Sequence, residues 1–149
     1  MIEPVSVTVE TRTSPENAFR VFVDKMHDYS PAAHSMGDSE RTGMVIELKQ
    51  GGRWYETCGD QVCEWGIVLD FEVGKHIHFA WHLNDRWAFD ASRHSDILVT
   101  FAPSDQGTTV TFVHSNMEQL GDGAAEMREA LAAENGWPNT MAGFVATTA

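Results

Sequence analysis

The chain has 149 residues, of which 42% are hydrophobic, and 22 acidic against 10 basic side chains give it a net charge of −12. That length fits one domain, 1–149, with a core that needs no metal or disulfide, while the charge repels nucleic-acid backbones and anionic lipid headgroups. No basic segment precedes an apolar run at the N-terminus and no stretch of about eighteen apolar residues occurs, so neither a signal peptide nor membrane insertion is expected and the protein reads as cytoplasmic.

Val5, Val7 and Val9 alternate with Ser6, Thr8 and Glu10, the period-two pattern of a half-buried strand. Ser14 then precedes Pro15, a capping side chain before a proline at the first helical position. Ala18, Phe19, Phe22, Val23 and Met26 recur at helical spacing, which predicts a helix from about Pro15 to His27. Residues 28–43, with Pro31, Gly37 and Gly43, read as a loop. From Met44 onward, Gly51-Gly52, Gly59-Asp60, Gly74-Lys75, Pro103-Ser104 and Gln106-Gly107 separate runs of strand length at about 43–48, 52–58, 63–73, 75–83, 94–102 and 108–115. With the first strand these make seven, enough for a strongly curved antiparallel sheet, and residues 84–93 form a long polar turn. Helical spacing returns at Ala124–Ala133, stops at Gly136, and resumes from Trp137-Pro138 towards Ala146. Cys58 and Cys63 are too few for a disulfide framework and read as reduced, although flanking the Gly59-Asp60 turn would allow a redox-sensitive crosslink.

Several ordered motifs carry a family likeness: Gly51-Gly52-Arg53-Trp54-Tyr55-Glu56, Cys63-Glu64-Trp65-Gly66-Ile67-Val68-Leu69, Phe79-Ala80-Trp81, the run Thr108 to Ser115, and Gly136-Trp137-Pro138. Over nearly its whole length the chain resembles the START-like SRPBCC superfamily, in its heat-shock-protein-90 ATPase activator branch. The resemblance implies an α+β helix-grip fold, in which a curved seven-stranded antiparallel sheet wraps a C-terminal helix around an internal cavity for hydrophobic ligands. It selects no single reaction, because such folds serve as carriers, cyclases, receptors and chaperone activators. The sequence departs from the family pattern at Asp28-Tyr29-Ser30 and in its short last helix, changes expected to widen or open one end of the cavity.

Alternation assigns faces. Trp65, Ile67, Leu69, Phe71 and Val73 are expected inside, as are Ile77, Phe79, Trp81 and Leu83, then Ile97, Val99 and Phe101. Trp54 with Glu56, and Val110 with Phe112 and His114, complete that interior. Arg53 and Tyr55 fall outside unless a bulge at Gly51-Gly52 changes the register. On the last helix Trp137, Met141, Phe144 and Val145 form one stripe towards the sheet.

Two interior polar residues invite chemistry. Glu56 and His114 could satisfy buried polar positions, anchor the polar end of a ligand, or act as an acid/base pair with His114 as base. The large rings at Trp54, Trp65, Phe79 and Trp81 fill a core as readily as they wall a ligand site. His76, His78 and His82 share one strand face, yet that face is the outer one, no carboxylate or Cys joins them at a metal-site spacing, and they read as solvated rather than as a metal centre. His27 and His34 fall at the end of the first helix and in the following loop, at a cavity mouth or on plain surface. No nucleophile elbow, phosphate loop or dinucleotide fingerprint occurs, so no cofactor is expected.

The leading expectation is therefore a module that binds a small hydrophobic or aromatic molecule between sheet and C-terminal helix. Its expected contacts are Trp54, Glu56, Trp65, Phe79, Trp81, Val99, Phe101, Phe112, His114, Trp137, Met141 and Phe144. The alternatives are a cyclase, dehydratase or hydrolase using the same cavity, and a chaperone-activator module contacting a partner through the outer sheet face and loop 28–43.

Overall fold

The computed structural model describes residues 2–31 and 34–148; the two positions 32–33 of the expected 28–43 loop, and the terminal residues 1 and 149 of the expected domain, lie outside the described residues. Seven strands form one antiparallel sheet: β1 (Val5–Thr11), β2 (Gly43–Ile46), β3 (Arg53–Cys58), β4 (Gln61–Glu72), β5 (His76–Trp81), β6 (Ser95–Ser104) and β7 (Gly107–Ser115). Their order is β1-β7-β6-β5-β4-β3-β2, so β2 to β7 run as a meander and β1 closes beside β7. The curled sheet grips four helices, α1 (Pro15–Asp24), α2 (Met26–Tyr29), α3 (Ala124–Ala132) and α4 (Trp137–Thr148), the last packing against β1, α1 and α2. This is the expected helix-grip architecture. Among the described residues no helix is long and apolar enough to cross a membrane.

Local chemistry sets these elements. Ser14 Oγ accepts from the Asn17 N–H at 3.2 Å and Pro15 opens α1, which turns Ala18, Phe19, Phe22 and Val23 inward. The rings of Phe19 and Phe22 meet Phe101 edge-on at 5.4 and 6.0 Å, and Phe22 meets Phe144 of α4 at 5.8 Å. Each fully buried ring of this kind contributes on the order of 1.5–3 kcal/mol. The helix ends at Asp24, before the expected His27, and α2 begins at Met26, after the single residue Lys25. There Tyr29 is buried and donates its hydroxyl to the Phe22 carbonyl at 2.7 Å, so the Asp28-Tyr29-Ser30 departure fills space at this end instead of opening it.

Strand parity holds for β3, β5, β6 and β7, where every residue expected inside is buried. It fails in β4 because two residues bulge. Trp54 pairs with Gly66 and Tyr55 with Glu64, leaving Trp65 extra; Val68 pairs with Phe79 and Asp70 with His78, leaving Leu69 extra. Past Trp65 the inward series becomes Gly66, Val68 and Phe71. Val68 is fully buried, while Ile67 and Leu69, expected inside, are half-buried and Val73 is 37% exposed. Gly66 belongs at this crossing, since a Cβ there would lie 2.1 Å from the Ala80 carbonyl oxygen. Arg53 and Tyr55 stay on the outer face, where the Arg53 guanidinium lies 4.4 Å over the Tyr55 ring and pairs with Glu64.

Candidate functional site

The space between the centre of the sheet and α4 is nearly full. Only about 10 Å3 is open there, beside Trp54, Phe79, Phe112 and Thr140, which is about one water and no organic ligand. Val99, Phe101, Met141 and Phe144, expected as ligand contacts, are buried core residues that line neither this void nor the larger cavity. The rings interdigitate too closely for a central chamber.

The larger space, about 350 Å3, lies at the end of the grip where α4 begins. It falls at the lower end of the range of about 300–1,000 Å3 typical of small-molecule sites. Trp65, Trp81 and Trp137, all expected contacts, form its indole walls with Leu83 and Trp87; His34, Ser35 and Met36 close one side; Ala130, Leu131, Asn135 and Gly136 at the α3–α4 junction close the other. Strands β4 and β5 and the first residue of α4 thus supply three rings from the rigid frame, while loops supply the rim. Among the described residues no carboxylate, Lys or Arg lines it, despite the charge of the chain.

Glu56 and His114 both point inward, and they serve different places. Glu56 is completely buried and holds the rim: its carboxylate accepts from Ser35 Oγ at 2.6 Å, from the Met36 N–H at 2.5 Å and from Trp65 Nε1 at 3.0 Å, with Cys58 Sγ at 3.6 Å. Three of those four donors belong to cavity-lining residues. His114 sits one layer behind the walls, its ring centroid 4.6 Å from that of Trp81. Trp137 Nε1 donates to its Nδ1 at 3.0 Å, so Nε2 bears the proton and faces Ser95 Oγ at 2.7 Å. Burial pushes its pKa down to about 3, against the weaker pull of Asp96. Both ring nitrogens of His114 are engaged, and among the described residues no hydrogen bond links it to Glu56.

Sequence reasoning missed much of the rim. Trp87 lies within the 84–93 turn, where its φ of +60° is unusual for a bulky residue, and Asn84 Oδ1 secures the turn by accepting from the Arg86 and Ala88 N–H groups at 2.9 and 3.2 Å. A tryptophan inside a polar turn was the one available signal. Its ring meets Trp81 edge-on at 6.2 Å and remains 38% exposed. Leu131, Asn135 and Gly136 carried no signal, because only the chain path at the α3–α4 junction brings them there. His34 is at the mouth, with Nε2 donating to the Asn135 carbonyl at 2.8 Å; His27 instead accepts from Arg41 at 3.3 Å, away from the cavity.

Trp81 adds a further feature. Its Nε1 is buried without a hydrogen-bond partner, as are Trp54 Nε1 and Thr140 Oγ1 beside the small void. On the outer face the expectation of solvated histidines needs correcting. Asp70 bridges His76 at 2.7 Å and His78 at 3.4 Å, His78 reaches Asp96 at 2.9 Å, and His82 is buried against the Arg93 carbonyl. Among the described residues no group of three or more His, Cys, Asp or Glu side chains is arranged to hold a metal ion. Cys58 and Cys63 are free thiols, paired across the hairpin with Gln61 and Glu56 rather than with each other.

Residues 12–149 match the family described as Activator of Hsp90 ATPase homolog 1-like protein. No curated protein matches the chain. Among solved structures, an anthrahydroquino-gamma-pyrone synthase, Txn09, solved in complex with SUM, is 31% identical over 98% of this chain and 97% of that one, with a TM-score of 0.70. Protein MLL2253 from Mesorhizobium loti is 16% identical over 97% and 96%, with a TM-score of 0.71. The Aha1 dimer from Colwellia psychrerythraea is 12% identical over 95% and 92%, with a TM-score of 0.62. The last two are likenesses of fold alone.

Proposed function

The chain belongs to the Activator of Hsp90 ATPase homolog 1-like family, within the helix-grip SRPBCC fold, and from that premise we propose that it binds a small, flat, largely apolar molecule at the end of the grip. The observation that carries this reading is the cavity of about 350 Å3 walled by Trp65, Trp81, Trp87 and Trp137. Indole faces stack on planar rings. An uncharged lining favours an uncharged or delocalised ligand over an ionic one. We take the protein as cytoplasmic, in keeping with its composition. Native mass spectrometry of freshly purified protein, with identification of what is released on denaturation, tests the reading: a stoichiometric planar compound is expected, and neither a retained compound nor uptake of added hydroxyanthraquinones would sink it.

A second reading, an enzyme acting on such a molecule, is favoured by the 31% identity to a synthase named for an anthrahydroquino-gamma-pyrone product. In that reading the chemistry belongs to the rim, since Glu56 and His114 are committed to internal hydrogen bonds. A chaperone-binding role draws less support: the outer face expected to meet a partner carries the polar ladder of Asp70, His76, His78 and Asp96.

A further inference from the structure

Resting on the binding reading above, the geometry points to His34 as the proton acceptor for an acidic hydroxyl of the bound molecule. The ligand class is then a phenol- or enol-bearing aromatic molecule.

Nε2 of His34 lies 2.8 Å from the Asn135 carbonyl oxygen, which only accepts, so that nitrogen carries hydrogen. In the neutral ring the lone pair is therefore on Nδ1, and a backbone carbonyl behind an imidazole is a common way to fix that orientation. His34 is also the only titratable side chain lining the cavity among the described residues. Every nearby alternative is committed: Glu56 receives three hydrogen bonds and a thiol, and His114 has both nitrogens engaged. The carboxylates nearest to His34 by connection are Glu56, one residue removed through Ser35, and the exposed Glu134, next to Asn135.

In the step itself the ligand O–H bond breaks, its electron pair stays on oxygen, and the proton bonds to His34 Nδ1. The resulting imidazolium faces the new oxyanion while its Nε2–H keeps the Asn135 carbonyl. The proton later returns to a basic atom of the ligand or to water, restoring the imidazole without oxidant or reductant.

The probe is 2-hydroxyanthraquinone, whose visible absorption moves to longer wavelength when its phenol ionises. Bound to the wild-type protein, its ionisation midpoint is expected to fall by about one pH unit, a tenfold change in equilibrium, relative to the free dye. The field of a chain with net charge −12 pushes the opposite way, so the fall cannot come from overall charge. His34→Gln, which keeps an N–H for the Asn135 carbonyl, should lose the fall and so bind the ionised dye about tenfold more weakly than wild type; His34→Ala should lose it as well. Binding with an unshifted midpoint, or a fall that survives in both His34 variants, overturns the assignment and leaves the binding reading standing. Absence of binding overturns both.

Discussion

Trp137 Nε1 donates to His114 Nδ1 at 3.0 Å, and this one bond joins the first residue of α4 to the inner face of β7 while fixing which nitrogen of the imidazole is protonated. The fold therefore needs His114 neutral, as its pKa of about 3 also says. The unfolded chain takes up a proton near the ordinary value of 6.5 and the folded chain does not, so stability is fully present above pH 6.5 and falls as the pH drops towards 3. The expected slope is roughly 1.4 kcal/mol per pH unit. Asp70 is held below the usual carboxylate range by hydrogen bonds from His76 and His78; at Asp96 burial pushes upward, but Asn116 and His78 outweigh it. Their contributions are lost only below about pH 4, which leaves the window from 6.5 to 4 to report His114. Urea titrations across that window should show the slope in the wild type and a flatter one in His114→Gln; equal slopes would remove the assignment.

Glu56 is expected to act as a clamp. Glu56→Ala leaves the Met36 N–H and Trp65 Nε1 without their acceptor and frees residues 34–36 from the sheet, at a cost of about 2–4 kcal/mol. Glu56→Gln should lose about 1 kcal/mol or less. Its one carbonyl oxygen can serve Met36 and Trp65 while the Ser35 hydroxyl reverses to accept from the amide. Denaturation midpoints, with amide exchange at Met36, separate the two variants; similar large losses in both would mean that a carboxylate specifically is required.

The fold was legible because turn residues such as Gly59-Asp60 fall between alternating runs, and alternation alone turned Glu56, His114 and Phe79 inward correctly. It misplaced Ile67 because a bulge is a matter of pairing between strands: nothing in Trp65-Gly66 by itself says that Trp54 will skip a residue. The open space was legible only in part. Trp65, Trp81 and Trp137 were assigned to a ligand wall and do border the cavity, yet Phe101, Met141 and Phe144 have the same apolar signature and line no open space. Composition reports that rings are inside; whether they leave room depends on interlocking shapes.

Trp87 offers the sharpest separation of binding from stability. Its side chain is partly exposed and its backbone sits at φ +60°, a conformation costing a bulky residue on the order of 1–3 kcal/mol. Trp87→Gly should therefore leave stability unchanged or raise it, while weakening binding of 2-hydroxyanthraquinone about tenfold through loss of one indole wall. Unchanged affinity, read from quenching of tryptophan fluorescence, would detach Trp87 from the site.

Where the ligand sits can be decided by filling each space in turn. Leu131 borders the large cavity, and Leu131→Trp places a ring into open volume, so stability should change by about 1 kcal/mol or less while dye binding falls at least tenfold. Thr140 borders the void of about 10 Å3, and its hydroxyl is buried without a partner. Thr140→Val removes that group at nearly constant shape, so it should stabilise the protein by about 1 kcal/mol and leave affinity alone. The two variants have opposite signatures because one space is empty and the other merely unsatisfied. The reverse pattern, in which Thr140→Val weakens binding and Leu131→Trp does not, would mean that the ligand pries the sheet and α4 apart to enter the centre of the grip.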